Sequence, residues 1–404
     1  MTRSMPGRLT SGRALALTLY LAVLPWAIAP MGIAAGLLGA VTLVIAWAGP
    51  GPRWTRTPVD VAALVWFAAM VVVSAFALDP AESFTRVTKG LFPLLVGLTA
   101  AAATDARVGR RALAVYLVAA TLASLIGTVE WWAHGHCYAW RARGLTHHHM
   151  TYGGQLLLEL SVAVSLACTV RDRRWRLGAG AAALLLAVAL ATTFTRSAWA
   201  GAFAAGLVVL AAVRPWGVLA LAAAGALAFA FLPGEWGDRL RSMVQPRQGY
   251  NGERLLMWEA GARMFRSDWL TGVGLLDMHG VYPRFRSPAA TEEVGHLHNA
   301  FVQIAATMGV IGLAAFGVLV SALLRTASRG LAWGRGLGDR LRAGGVSAGL
   351  RLGVTAGIVG MLVAGLFEWN FGDEELLHHL YALVGLAWAS AGWGYGDSSE
   401  GRTR

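Results

Sequence analysis

The chain has 404 residues, of which 56% are hydrophobic and only 14% charged, with a formal net charge of +12. An ordinary soluble domain is excluded. Apolar runs near 20 residues recur between short segments rich in arginine and tryptophan, and a helix of that length crosses a ~30 Å hydrocarbon core with its backbone polar groups satisfied internally. In a soluble protein the basic balance would suggest nucleic acid, but here the arginines sit between apolar runs, so the expected surroundings are membrane lipid and no nucleic acid.

At the N-terminus Arg3, Arg8 and Arg13 precede an apolar run that starts at Ala14. Ala27, Ile28 and Ala29 imitate a signal-peptidase site, but Pro30 follows directly and disfavours cleavage, so the segment reads as a retained first helix. Further along, spans are expected near 14–29, 31–48, 58–77, 88–104, 111–132, 152–170, 177–194, 197–213, 216–232, 298–324, 352–371 and 376–393. The fourth is short and contains Pro93, so the stretch from Pro80 reads as an interfacial helix leading into it. The expected fold is all-α and polytopic, a single integral membrane domain over residues 1–404 with about 12 transmembrane helices.

Arginine placement sets the expected orientation. With a cytoplasmic N-terminus the cytoplasmic segments hold 21 basic residues, and the short outer loops hold five, namely Arg86, Lys89, Arg141, Arg143 and Arg196. By the positive-inside rule both termini then face the cytoplasm. The remaining eight lie in residues 234–297, a long extracytoplasmic loop and the expected seat of chemistry. Within it Asn251 reads as the cap of a helix beginning at Gly252, with Leu255, Trp258, Ala262 and Phe265 along one face and Glu259 and Arg263 paired four residues apart. Cys137 falls in an outer loop, while Cys168 lies 16 residues beyond Tyr152, roughly 24 Å down a helix, too deep for a disulfide between them.

Charge is scarce within the spans apart from Glu159 in the sixth, which argues against an ion-coupled transporter. Polar and basic residues gather instead at the outer ends of helices. Arg141, Arg143, Arg196 and Arg254 face the depth at which a lipid diphosphate sits, and guanidinium groups offer planar paired donors to phosphate oxygens without a metal. Against this stands the simpler reading that interfacial arginines snorkel toward headgroups. His298 and Asn299 open a long apolar helix directly after the loop, and an imidazole accepts a proton at neutral pH. Gly309 and Gly312 read as small residues that let this helix pack closely on a neighbour. His147, His148 and His149 resemble a metal tract, but consecutive residues point in different directions and no ligand spacing is present, so no metal is expected there. Glu368, Asp373, Glu374 and Glu375 surround the last outer turn, where an acidic group could orient the arginines or the histidine.

His298 and Asn299, nine further residues, Gly309, two residues and Gly312 together resemble the most diagnostic signature of the O-antigen ligase and polymerase superfamily. Arg196 to Trp199 at a helix start, Arg254 with Trp258, and Gly272 to Gly274 after Trp269 are similar to the family in kind and in order along the chain. The resemblance implies a GT-C-like, metal-independent glycosyltransferase of the bacterial inner membrane, with its active site facing the periplasm and no cofactor. It would transfer an O-antigen glycan from undecaprenyl diphosphate to a sugar hydroxyl of lipid A core, with inversion. The catalytic roles would fall on Arg196, Arg254 and His298, while Arg141, Arg143, Arg266, Asn299 and Glu368 are candidates for substrate binding. The ligase reaction is favoured by the length near 400 residues, by one dominant outer loop late in the chain, and by the lack of a sizeable C-terminal extracytoplasmic domain. The alternatives are an O-antigen polymerase or a protein O-oligosaccharyltransferase of the same superfamily and, outside enzymes, a lipid-linked glycan flippase.

Overall fold

The computed structural model describes residues 5–48, 54–245, 250–331 and 337–393, and these are helical without a strand. Arg3, Arg53, Arg247, Arg335, Arg402 and Arg404, which enter the expected charge pattern, lie outside the described residues, as do both ends of the chain. In order come α1 (Met5–Val23), α2 (Ile28–Ala48), α3 (Pro58–Ala75), α4 (Pro80–Thr85), α5 (Leu94–Ala102), α6 (Ala106–Ala133), α7 (His149–Thr169) and α8 (Arg173–Thr192). Then follow α9 (Arg196–Val213), α10 (Trp216–Phe231), α11 (Gly234–Arg241), α12 (Tyr250–Ser267), α13 (Met278–Phe285), α14 (Ala300–Ala327), α15 (Leu337–Gly365) and α16 (Glu374–Ser390).

The chain is a multi-pass membrane protein. Among the described residues eight helices are long and apolar enough to cross a membrane, or nine if α10 and the helical stretch after it, bent by 108°, form one broken span. Helices stand at eleven of the twelve expected positions; the fourth is broken into α4, a 3-10 turn over Val87–Leu91, and α5. Pro80 and Pro93 cause this, since each opens or precedes a helix whose first turn needs no proline N–H. Cys137 and Cys168 are both free, and Cys168 sits in the last turn of α7.

Lipid offers no hydrophobic drive for one helix to leave it for another, so close backbone approach matters more. One close crossing lies between α9 and α15, where a Cβ added to Gly201 would stand 2.5 Å from the Gly360 carbonyl oxygen. This crossing brings the start of α9 beside the turn that follows α15. Deeper in the bundle Glu159 of α7 meets His379 of α16 at 3.3 Å, both fully enclosed, so the isolated charge read from the sequence has a partner.

Gly309 does not pack α14 on a neighbouring span as expected. It breaks the helix, with φ 59° and ψ −154°, and the segment after α12 lies across the break. The N–H groups of Val273 and Gly274 donate to the carbonyls of Ala306 and Thr307 at 2.9 and 3.0 Å. In return Val310 and Ile311 donate to Trp269 and Leu270 at 3.0 and 3.2 Å. Backbone groups that a broken helix would leave bare in lipid are thus satisfied by the loop. A Cβ on Gly309 would meet Leu270 O at 2.3 Å and Gly272 leaves no more room, which accounts for glycine at both.

Residues 234–297 carry α11, α12 and α13 and a small apolar core. Asn251 lies inside α12, which begins at Tyr250, and its side chain is used elsewhere. The face that packs on α14 and the loop is Met257, Ala260 and Met264, not the expected stripe; Leu255 is 43% exposed and lines a cavity. The expected Glu259 and Arg263 pair is formed at 2.5 Å.

Gly309→Ala should lower the thermal unfolding temperature, by about 1–3 kcal/mol of strain, because a side chain fits neither the positive φ nor the loop. Gly317→Ala in the same helix meets nothing within 4 Å and should leave the melting profile unchanged. Equal melting of the two variants would contradict the clamp.

Candidate functional site

The site lies where α7, α9, α14 and α16 begin and α15 ends. Phe194, at φ 49°, makes the tight turn that starts α9, and Thr195 ties it to α7 by donating to the His149 carbonyl at 3.1 Å. Arg196 follows as the first residue of α9, 9% exposed. Its guanidinium donates to Ser242 O and Oγ at 3.1 and 3.0 Å and to Asn251 Oδ1 at 2.6 Å. Arg254 on α12 lines the same cavity, about 210 Å³, with Ser197, Met243, Trp258 and Phe367.

Glu368, almost wholly buried in the turn after α15, joins this cavity to His298. One carboxylate oxygen stands 3.6 Å from Arg254 Nη2, both lie 3.1 Å from His298 Nδ1, and one accepts the Trp369 N–H at 3.0 Å. Burial alone pushes this carboxyl up, but the hydrogen bond from His298 and the fields of His298, His296 and Arg254 outweigh it and hold it at about 2. An ionised carboxylate only accepts, so in the neutral imidazole Nδ1 carries the proton and Nε2 keeps its lone pair. His298 has φ 47°, a strained conformation for a histidine, held by Asn299. Asn299 caps α14 by accepting from Phe301 and Val302, and its amide donates to the Leu366 carbonyl at 2.9 Å, binding the start of α14 to the end of α15.

Several sequence candidates are placed elsewhere. Arg141 lies beside the cluster, donating to His149 Nε2 at 2.7 Å and to the Tyr138 hydroxyl. Arg143 turns toward Glu130 at 3.7 Å and over the Trp140 ring. Arg266 is exposed near the far end of α12, twelve residues or about 18 Å from Arg254, and the structure does not bring it in. Asn299 has its side chain committed to the cap and to Leu366. Of the histidine tract, His148 accepts the Met150 N–H and His149 Nε2 accepts from Arg141, with the two rings 4.2 Å apart.

His296 and Arg239 are additions that sequence reasoning passed over. The His296 ring stands 4.1 Å from that of His298, its Nδ1 3.6 Å from Glu368, and burial lowers it to about 4 despite the carboxylate, so it is neutral at pH 7. The alternation His296, Leu297, His298 was a signal, because residues two apart in an extended loop share a side. His296, His298 and Glu368 also offer three ligand atoms within 4.8 Å of one another, the group that could hold a metal ion among the described residues. Arg254 sets a fixed positive charge against the same carboxylate, which opposes a cation there.

A pocket of fixed guanidinium groups beside a carboxylate-oriented imidazole can hold a dianion, stabilise charge that grows on it, and take a proton from a nearby hydroxyl. Residues 181–317, which run from α8 through α14 and include Arg196, Arg254 and His298, match the family model described as O-antigen ligase. The match supports membership of the O-antigen ligase/polymerase superfamily. It supports a function of the O-antigen ligase or polymerase type and suggests a glycosyltransferase-like enzyme of O-antigen biosynthesis, a family whose substrates are in general lipid-linked O-antigen and lipid A core. No curated protein matches it.

Asp373, the residue before α16, accepts from Thr151 at 3.0 Å and is half-buried. Burial raises it to about 7, with Glu368 and Glu375 adding to the effect and Thr151 and Lys89 opposing it. A carboxyl that stays protonated in the folded state and ionises near 4 when unfolded costs stability as pH rises from about 4 to 7. Asp373→Asn should flatten that part of the stability curve and raise the melting temperature at pH 8. A variant with the wild-type pH slope would show that Asp373 ionises freely in the fold.

Proposed function

We propose that this member is an O-antigen ligase that moves a glycan from undecaprenyl diphosphate to a sugar hydroxyl of lipid A core at the periplasmic face of the inner membrane. The observation that carries the reading is the single carboxylate, Glu368, set between His298 and Arg254, because it couples a proton acceptor to an anion holder. In the proposed reaction the acceptor oxygen attacks the anomeric carbon on the face opposite the diphosphate. A carbon–oxygen bond to the sugar forms, the bond from the anomeric carbon to the phosphate oxygen breaks, and the hydroxyl proton passes to His298 Nε2. The leaving diphosphate gains a negative charge that Arg196 and Arg254 offset, and this contribution exceeds the roughly hundredfold or more expected from the base. Inversion follows from the single displacement, and no metal enters because guanidinium groups supply the positive charge.

Orientation supports the same reading. The opposite end of the bundle carries Arg107, Arg110 and Arg111, then Arg171 to Arg176, Arg214, Arg325, Arg329 and Arg351, as expected of cytoplasmic segments. Both termini would then be cytoplasmic, and residues 234–297 would be a periplasmic loop within one membrane domain. The ligase is favoured over polymerase and protein glycosylation by the single dominant loop late in the chain. A flippase would line both halves of a path with charge, whereas Arg196, Arg254 and Glu368 meet at one end of the bundle.

Purified protein incubated with undecaprenyl diphosphate glycan and lipid A core should form capped lipopolysaccharide without nucleotide and at the same rate with excess chelator. Arg254→Ala and His298→Ala should each lose about a hundredfold or more in kcat. Full rate in Arg254→Ala would count against its role. Product made only with lipid-linked glycan as acceptor would make the enzyme a polymerase.

A further inference from the structure

Charge accounting around the cavity leaves a surplus that the two catalytic arginines do not explain. Arg239 reaches back from α11 and donates through Nε to the Phe194 carbonyl at 3.1 Å, two residues before Arg196. Its guanidinium lies over the Tyr138 ring at 4.9 Å, and that of Arg141 lies over the same ring at 4.2 Å. Arg141, Arg196 and Arg254 all stand near enough to Arg239 for their charges to repel it. Among the described residues the hydrogen-bond partners of Arg141, Arg196 and Arg239 are neutral: a histidine nitrogen, a phenol, two hydroxyl or amide oxygens and two backbone carbonyls.

Of these four guanidinium groups Arg254 faces a carboxylate, Glu368, while the nearby Glu235 accepts the Tyr138 N–H at 2.7 Å. Holding like charges together is unfavourable unless an anion joins them. This surplus of positive charge suits the two negative charges of a diphosphate esterified at both ends.

We propose that Arg239, with Arg141 and Tyr138, forms a second phosphate subsite that takes the lipid-side phosphate of the donor while Arg196 and Arg254 hold the sugar-side phosphate. The assignment of sides follows from connectivity. Arg254 is tied through Glu368 to His298, where the sugar must lie, whereas Arg239 sits on α11 just past α10, whose Leu227 and Phe231 are exposed to lipid. Tyr138 holds both cations by its ring and offers its hydroxyl, so the subsite is a built cradle and not a pair of snorkelling side chains. This inference deepens the ligase reading and rests on it for the identity of the donor, but not for the existence of the subsite.

The test compares binding of undecaprenyl phosphate, undecaprenyl diphosphate and inorganic pyrophosphate to the purified full chain. Wild type should bind the lipid diphosphate about tenfold or more tighter than the monophosphate. Arg239→Ala should weaken undecaprenyl phosphate about tenfold or more, because its one phosphate is the lipid-side one, and Arg239→Lys should restore part of that affinity as a point charge without the planar fork. Arg254→Ala should instead lose the preference for the diphosphate, and the rescue by Arg239→Lys reports that the fold is intact. An unchanged monophosphate affinity in Arg239→Ala, or no diphosphate preference in wild type, would overturn the subsite. Inorganic pyrophosphate bound as tightly as the lipid would overturn the lipid assignment. If Arg239→Ala loses monophosphate affinity while Arg254→Ala transfers glycan at full rate, the subsite stands and the catalytic reading falls.

Discussion

A single buried carboxylate governs the arrangement. Glu368 receives His298, Arg254 and the Trp369 N–H in a turn from which water is largely excluded. Enclosed there without partners it would cost several kcal/mol or take up a proton. With them it stays ionised and fixes which imidazole nitrogen is protonated. The same group that orients the base therefore also anchors a cation, and neither side chain is free to settle alone.

Three backbone devices bring these groups together from distant parts of the chain. The glycine crossing of α9 and α15 sets Arg196 near the turn that holds Glu368. The break at Gly309, clamped by Trp269 to Gly274, fixes the first half of α14 against the loop that carries Arg254. Asn299 closes the ring by joining α14 to Leu366. Each spends ordinary backbone hydrogen bonds or close approach, and together they hold His298 in a conformation it would not choose on its own.

Much of this was legible in the sequence, for identifiable reasons. Hydropathy marks spans because lipid punishes unsatisfied backbone, and helices stand at eleven of the twelve expected positions. Arg196, Arg254 and His298 stand out because they lie at helix starts or in a loop at the depth of a lipid diphosphate, and because the motifs around them resemble the family in order along the chain. What stayed hidden depended on pairing across the fold. The use of Asn251 and the face of α12 were misjudged, since Arg196 takes the asparagine and Leu255 turns to a cavity. Gly309 gave no sign that its neighbour would be a loop strand and not a helix. Arg239 looked like one more loop arginine, because nothing local says that it reaches Phe194.

The central claim is that Glu368 unites an imidazole base and an arginine-bound diphosphate in one site. An experimental structure with a non-hydrolysable undecaprenyl diphosphate glycan bound tests it most directly. The account predicts phosphate oxygens on Arg196 and Arg254, with the anomeric carbon facing the Nε2 side of His298. A diphosphate seated away from both arginines, or a sugar on the far side of Glu368 from His298, would contradict it.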